Sequence, residues 1–161
     1  MRSLKERTFL IITFCGHAEV GENKEILRES VLSVIESNVG EEDVVFYLGG
    51  YGDFDGIAQD ACKVFQLRHP SSRLVFVTPY LDQSYLDNRA FQLTQYDEIV
   101  FPEIENCLPK YAISKRNEWL VRKSDLVIAY VNYGWGGAAK TLTYAKKKGK
   151  LFINLGKKVF S

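Results

Sequence analysis

Short, almost uninterrupted apolar runs recur along the chain, and most are followed by a stretch with helical periodicity. The runs are Phe9-Leu10-Ile11-Ile12-Thr13-Phe14, residues 44–48, Leu74-Val75-Phe76-Val77, residues 126–131 and residues 151–155. Each is too short for an ordinary helix, and none alternates apolar with polar, so each reads as a strand covered on both faces. Between them, Leu27, Val31, Val34 and Ile35 fall at i, i+4, i+7 and i+8, with Asn23 placed to cap and Gly40 beyond the end. Ile57, Ala61, Val64 and Phe65 form a second helical stripe that stops before Pro70. Further helices are expected over 113–123 and 138–148. Strands alternating with helices imply right-handed crossovers and a mainly parallel sheet. The expected fold is α/β: a Rossmann-like three-layer αβα sandwich, one domain over residues 1–161. Residues 81–110 are the least regular. There 87–95 reads as a short helix or loop and 98–101 as a short strand, and the aromatics make the segment a candidate homo-oligomer interface.

In such sheets ligands bind beyond the carboxyl ends of the strands. Those ends are Cys15-Gly16-His17, residues 49–53, Thr78-Pro79-Tyr80 and residues 132–137. Two carry glycine-rich turns, Gly49-Gly50-Tyr51-Gly52-Asp53-Phe54-Asp55 and Gly134-Trp135-Gly136-Gly137. Without a Cβ the backbone N–H groups can approach an anion closely, which suggests a phosphate-bearing ligand. Neither turn completes a known phosphate fingerprint. No Gly-Lys-Ser/Thr ending is present, and Gly56 falls one residue late after Gly50-x-Gly52.

Around these turns stand side chains suited to a nucleotide. Asp53 is a candidate cap, and Asp53 and Asp55 are weak candidate catalytic carboxylates. Asp55 is the favoured site member, accepting hydrogen bonds from a ribose or base. Lys140 and Thr141, in the first helical turn after Gly137, suit a phosphate, and Tyr51 and Trp135 suit a base. Ile113, Asn117, Leu120 and Val121 share one helical stripe, so Asn117 needs a hydrogen-bond partner, and Arg116 beside it can reach an anion. Thr78 and Asn132 complete the rim. His17 can shuttle a proton, but Cys15 should point to the opposite face of its strand, which argues against a Cys–His pair.

Composition narrows the class. A hydrophobic fraction of 46% and a charged fraction of 25% are those of a globular chain. No run of ~18 apolar residues exists, and residues 1–7 lack a signal-peptide core, so a cytoplasmic protein without membrane contact is expected. Cys15, Cys62 and Cys107 fit neither a disulfide framework nor a zinc cluster, and only His17 and His69 accompany them. No metal and no cofactor beyond a bound nucleotide is therefore expected. Net charge is +1, with eleven acidic and two basic residues from His17 to Asp60. After Asp125 no acidic residue occurs, while seven lysines fall between Lys140 and Lys158. The near-neutral balance and acidic first half argue against nucleic acid and for a nucleotide-type small molecule as partner, the lysines reading first as a solvated face.

Four pieces together resemble the SLOG superfamily, and within it the YpsA-like DUF1273 branch of uncharacterised bacterial proteins. They are Thr13-Phe14-Cys15-Gly16-His17; Gly49-Gly50-Tyr51-Gly52-Asp53-Phe54-Asp55-Gly56-Ile57-Ala58; Lys115-Arg116-Asn117-Glu118-Trp119 with Ser124-Asp125-Leu126-Val127-Ile128-Ala129; and Gly136-Gly137-Ala138-Ala139-Lys140-Thr141 with Tyr144-Ala145. The resemblance implies a Rossmann-like fold binding nucleotides or their derivatives, with Gly16, His17, Gly49, Gly50, Tyr51, Gly52, Gly136 and Gly137 in the site. LOG-type phosphoribohydrolases carry Pro-Gly-Gly-x-Gly-Thr-x-x-Glu. Here Leu48, Asp53 and Gly56 stand at its proline, threonine and glutamate. Residues 124–149 are also similar to nucleoside deoxyribosyltransferases, whose nucleophilic glutamate aligns with Thr141. Both departures favour binding or sensing over N-glycosidic hydrolysis or transfer. A DprA-like single-strand DNA binder is the third reading, supported by the lysines and exposed aromatics.

Overall fold

A computed structural model describes residues 9–80, 83–102, 104 and 107–157. The signal-peptide reading of residues 1–7 and the lysine at 158 lie outside these. Strands β1 (Phe9–Gly16), β2 (Asp43–Leu48), β3 (Arg73–Val77), β4 (Glu98–Val100), β5 (Leu126–Tyr130) and β6 (Leu151–Asn154) form one sheet. Their order is β4-β3-β2-β1-β5-β6, and every pairing is parallel. Helices α1 (Lys24–Asn38), α2 (Gly52–Arg68), α3 (Gln83–Gln95), α4 (Ala112–Lys123) and α5 (Gly137–Lys147) make the crossovers. The Rossmann-like α/β expectation is met.

Strand periodicity shows why both faces must be covered. In β5, Leu126, Ile128 and Tyr130 pack toward α1 and α2, while Val127 and Ala129 pack toward α5. All five are buried. Val44, Phe46 and Leu48 of β2 join the first cluster, and Val45 and Tyr47 face α4, where Tyr47 stacks on Trp119. Phe46, Phe54 and Phe65 are fully buried in the α1–α2 layer, each worth roughly 1.5–3 kcal/mol of apolar transfer.

A local signal sets the start of α1. Asn23 Oδ1 accepts from the N–H groups of Glu25 and Ile26, capping α1 as expected. The cap assigned to Asp53 is not formed. The N-cap of α2 is Tyr51, without a side-chain bond, and Asp53 turns outward to accept the Val20 N–H at 2.9 Å. The irregular 81–110 segment contains a full α3, longer than the 87–95 stretch, and the expected short strand is β4 on the sheet edge. Among the described residues no helix is long and apolar enough to cross a membrane.

Candidate functional site

The chain leaves β1 toward β2 on one side and later places β5 on the other. This reversal opens a crevice at the carboxyl ends of β1 and β5, the position where open α/β sheets hold ligands. A cleft of about 320 Å³ lies there. Its walls bring together Gly16, His17, Gly49, Tyr51, Asp55, Arg116, Asn117, Trp135, Gly136, Gly137 and Thr141 from the expected set. Gly50, Gly52, Asp53, Thr78, Asn132 and Lys140 do not line it.

The two glycine turns, alike in sequence, do different work. In the first, the N–H groups at the start of α2 are already occupied. Tyr51 N–H donates to Asp55 Oδ2 at 3.0 Å, Asp53 N–H to the Ala18 carbonyl at 2.8 Å, and Phe54 N–H to the His17 carbonyl. Gly52 has φ +87°, and a Cβ there would stand 2.7 Å from Ala18 Cα, so glycine is required by the loop packed above it. The second turn is open. Gly136 (φ +91°) is the N-cap of α5 and gives it no side-chain cap, and a Cβ on Gly134, Gly136 or Gly137 would meet nothing within 4 Å. Donors at the start of α5 therefore face the cleft with room beside them, as an anion site needs.

Arg116 is the buried polar residue of α4, only 4% exposed. The helical stripe is rotated by one residue from the expected one: Ala112, Arg116, Leu120 and Val121 are inside, while Ile113 is exposed and Asn117 half-buried on the cleft wall. Arg116 Nη1 donates to the carbonyls of Val77 at 2.7 Å and Gly49 at 3.1 Å, and Nε donates to Asn117 Oδ1 at 2.9 Å. It thus clamps the ends of β2 and β3. Burial works against its charge, and Asp55 and Tyr80 support it. Burial lifts the Asp55 carboxyl to about 6, against the Tyr51 N–H and Arg116, which favour its anion. Asp53 is held below the usual carboxylate range by the Val20 N–H and then by Lys24 at 3.4 Å.

His17 is fixed rather than free. Its Nε2 accepts the Asn132 N–H at 2.9 Å, which leaves the proton on Nδ1, and burial lowers its pKa, so the ring is neutral at pH 7. Burial and then Asp55 push the Cys15 thiol up to about 12, and it stays protonated. The Asn132 side chain accepts the Lys157 N–H, and Thr141 Oγ1 donates back to the Gly137 carbonyl at 2.9 Å.

Tyr133 was not singled out from the sequence, yet it organises the rim. It stacks on His17 with ring centroids 4.0 Å apart and on Trp135 at 4.1 Å. The ladder ends at an indole 70% exposed. Aromatics at 130, 133 and 135, at and just beyond the end of β5, were the available signal. Among the described residues no group of three or more His, Cys, Asp or Glu side chains could hold a metal ion.

The sequence matches no protein-family model. It is 27% identical over 141 aligned positions to an uncharacterized SPbeta prophage-derived protein, YoqJ, of Bacillus subtilis, covering 75% of this chain and 81% of that one. The structure resembles DNA processing protein A (DprA) of Helicobacter pylori, solved for its single-stranded DNA binding mode, with TM-score 0.62 and 17% identity. It resembles DprA of Streptococcus pneumoniae with TM-score 0.64 and 16% identity. About 90% of this chain is matched in each case, but it spans only 64% and 50% of those chains. A molybdenum cofactor carrier protein of Chlamydomonas reinhardtii follows at TM-score 0.54 and 15% identity, with 90% of this chain and 76% of that one covered. These likenesses show a shared fold.

They overturn the expectation against a nucleic-acid partner, because the same fold serves single-stranded DNA binding in DprA. Net charge is a whole-chain average that ignores where charges sit. Glu41, Glu42 and Asp43 stand at the amino end of β2, at the sheet edge opposite the cleft, so they do not bear on its ligand.

Proposed function

We propose that this chain binds nucleotide units at the crevice between β1 and β5, with single-stranded DNA as the leading ligand and free nucleotides as the second. The ring ladder His17–Tyr133–Trp135 carries the reading, because its exposed indole lies beside the uncapped start of α5. A base stacks on that indole, and its phosphate reaches the N–H groups of Gly137 and Ala138. The single strand takes precedence because stacking on an exposed ring tolerates any base in a polymer, and because DprA shares the fold. The cleft volume of about 320 Å³ supports the second reading, since it lies at the small end of ligand pockets. The same proposal takes residues 1–161 as one cytoplasmic domain akin to the YpsA-like branch of the SLOG superfamily.

The test is fluorescence anisotropy with a labelled oligothymidylate, beside calorimetric titration with free nucleotides, at low and fixed salt. A stacked base is worth roughly 1–3 kcal/mol, so Trp135→Ala should weaken binding by about tenfold or more. The indole is exposed, so thermal unfolding should not change. Binding of neither ligand by the unaltered chain, or undiminished binding by Trp135→Ala, refutes the reading.

A further inference from the structure

The helix α3 stands off the sheet. None of its described side chains is buried, although Leu86, Phe91 and Leu93 are among them. Beneath it a hollow of about 350 Å³ opens at the carboxyl end of β3. Phe76, Thr78, Tyr80, Asn88, Arg89 and Gln92 line this hollow, and none of them lines the first cleft.

Its chemistry parallels that of the first cleft. Tyr80 is an exposed ring at the rim. Phe76 forms the floor, already stacked on Tyr96 with centroids 5.1 Å apart. Arg89 is exposed, and among the described residues no carboxylate pairs with it. The half-buried Gln92 amide makes no hydrogen bond among the described residues, so its donor and acceptor are both available. Ring, cation and free amide together suit a base and its phosphate.

The two hollows are neighbours on one rim. Arg116 lines the first and bonds the carbonyl of Val77, just before Thr78 of the second. The ends of β1 and β3 are two strand spacings apart, about 10 Å. A stacked strand covers that in about three steps of 3.4 Å, and an extended one in fewer.

We infer that the hollow under α3 is a second nucleotide subsite for the strand held at the first cleft. Tyr80 stacks on a base, Arg89 pairs with a phosphate and Gln92 meets a base edge. This rests on the single-strand reading above. The experiment is a length series of labelled oligothymidylates, with a free thymidine nucleotide as the one-subsite ligand, on the full chain and on Arg89→Gln. Arg89 is on an exposed helix surface, so the variant should unfold as the unaltered chain does.

Affinity should step up once the strand spans both hollows. Arg89→Gln should weaken the long strand by about tenfold, flatten its salt dependence by about one charge, and leave the free nucleotide unaffected. No step with length, no loss on the long strand, or equal loss on strand and nucleotide overturns the second subsite. A silent Arg89→Gln beside an active Trp135→Ala removes this subsite alone. A full chain that binds no strand removes both.

Discussion

Asp55→Asn probes the electrostatics of the cleft wall. Burial lifts this carboxyl from 3.8 to about 6, with the Tyr51 N–H and Arg116 pulling the other way. An acid with a raised pKa holds its proton more tightly when folded. Between 3.8 and about 6 the folded chain carries the extra proton, so Asp55 makes stability fall as pH rises through that window and adds no slope outside it. A difference of about 2 in pKa corresponds to ~3 kcal/mol. The cleft is partly open to water, which reduces this to ~1–2 kcal/mol. Asparagine keeps an oxygen for the Tyr51 N–H and never ionises, so it reproduces the protonated acid. The variant should be the more stable chain at about pH 8, by ~1–2 kcal/mol, and should match the unaltered chain at about pH 4. For a chain of this size that is about 2–8 °C in Tm. Urea unfolding followed by circular dichroism across this pH range measures it. Taking the difference between the two chains cancels Asp53 and Glu42, whose lowered pKa values act in the opposite sense. A less stable variant at about pH 8, or a difference that does not shrink toward about pH 4, would refute the account of this carboxyl.

Gly52→Ala forces a Cβ against Ala18 at a positive φ and should cost roughly 1–3 kcal/mol in urea unfolding; a neutral result means the loop above it moves freely. Arg116→Met leaves the Gly49 and Val77 carbonyls without their donor and Asp55 without its cation, for a loss of roughly 3–5 kcal/mol. The loss should be smaller in an Asp55→Asn background, and a double-mutant cycle with no coupling would contradict the electrostatic link.

The sheet was legible because apolar runs of strand length, covered on both faces, permit few alternatives. By the same logic Gly16 was expected at the end of β1 and His17 just after it; β1 does end at Gly16, and both residues line the cleft. The α4 stripe was misread by one residue. Arg116 was read as reaching an anion and Asn117 as the polar member of the buried stripe, whereas Arg116 is the buried one and donates to the carbonyls of Gly49 and Val77. That contact is tertiary and leaves no local signal. Both glycine turns were read as suited to a phosphate for the same reason, although their neighbouring side chains differ. Only the loop carrying Ala18 shows that Gly52 is spent on packing, and only the empty space around Gly136 shows that the second turn is open. Thr78 sits at a strand end as expected but belongs to the other hollow, because Gly49 and Arg116 stand between.

The groups that would perform chemistry in this cleft are committed to holding its loops. The His17 acceptor is taken by the Asn132 N–H, the Cys15 thiol is held protonated, and Asp55 is the carboxylate on the wall, tied to the Tyr51 N–H. Glycosidic cleavage in its common form uses two carboxyl groups with divided roles, and Asp53 points to Val20 and Lys24 instead. The start of α5 carries no side-chain cap, and the indole of Trp135 is exposed. Under the proposed reading, this donor array and ring face are what a phosphate and a base would meet. The same division explains why Asp55 can rest near a pKa of about 6: its partial charge loss weakens repulsion of an incoming phosphate, so strand affinity should rise as pH falls toward that value, and a flat pH profile of binding would separate Asp55 from the ligand altogether.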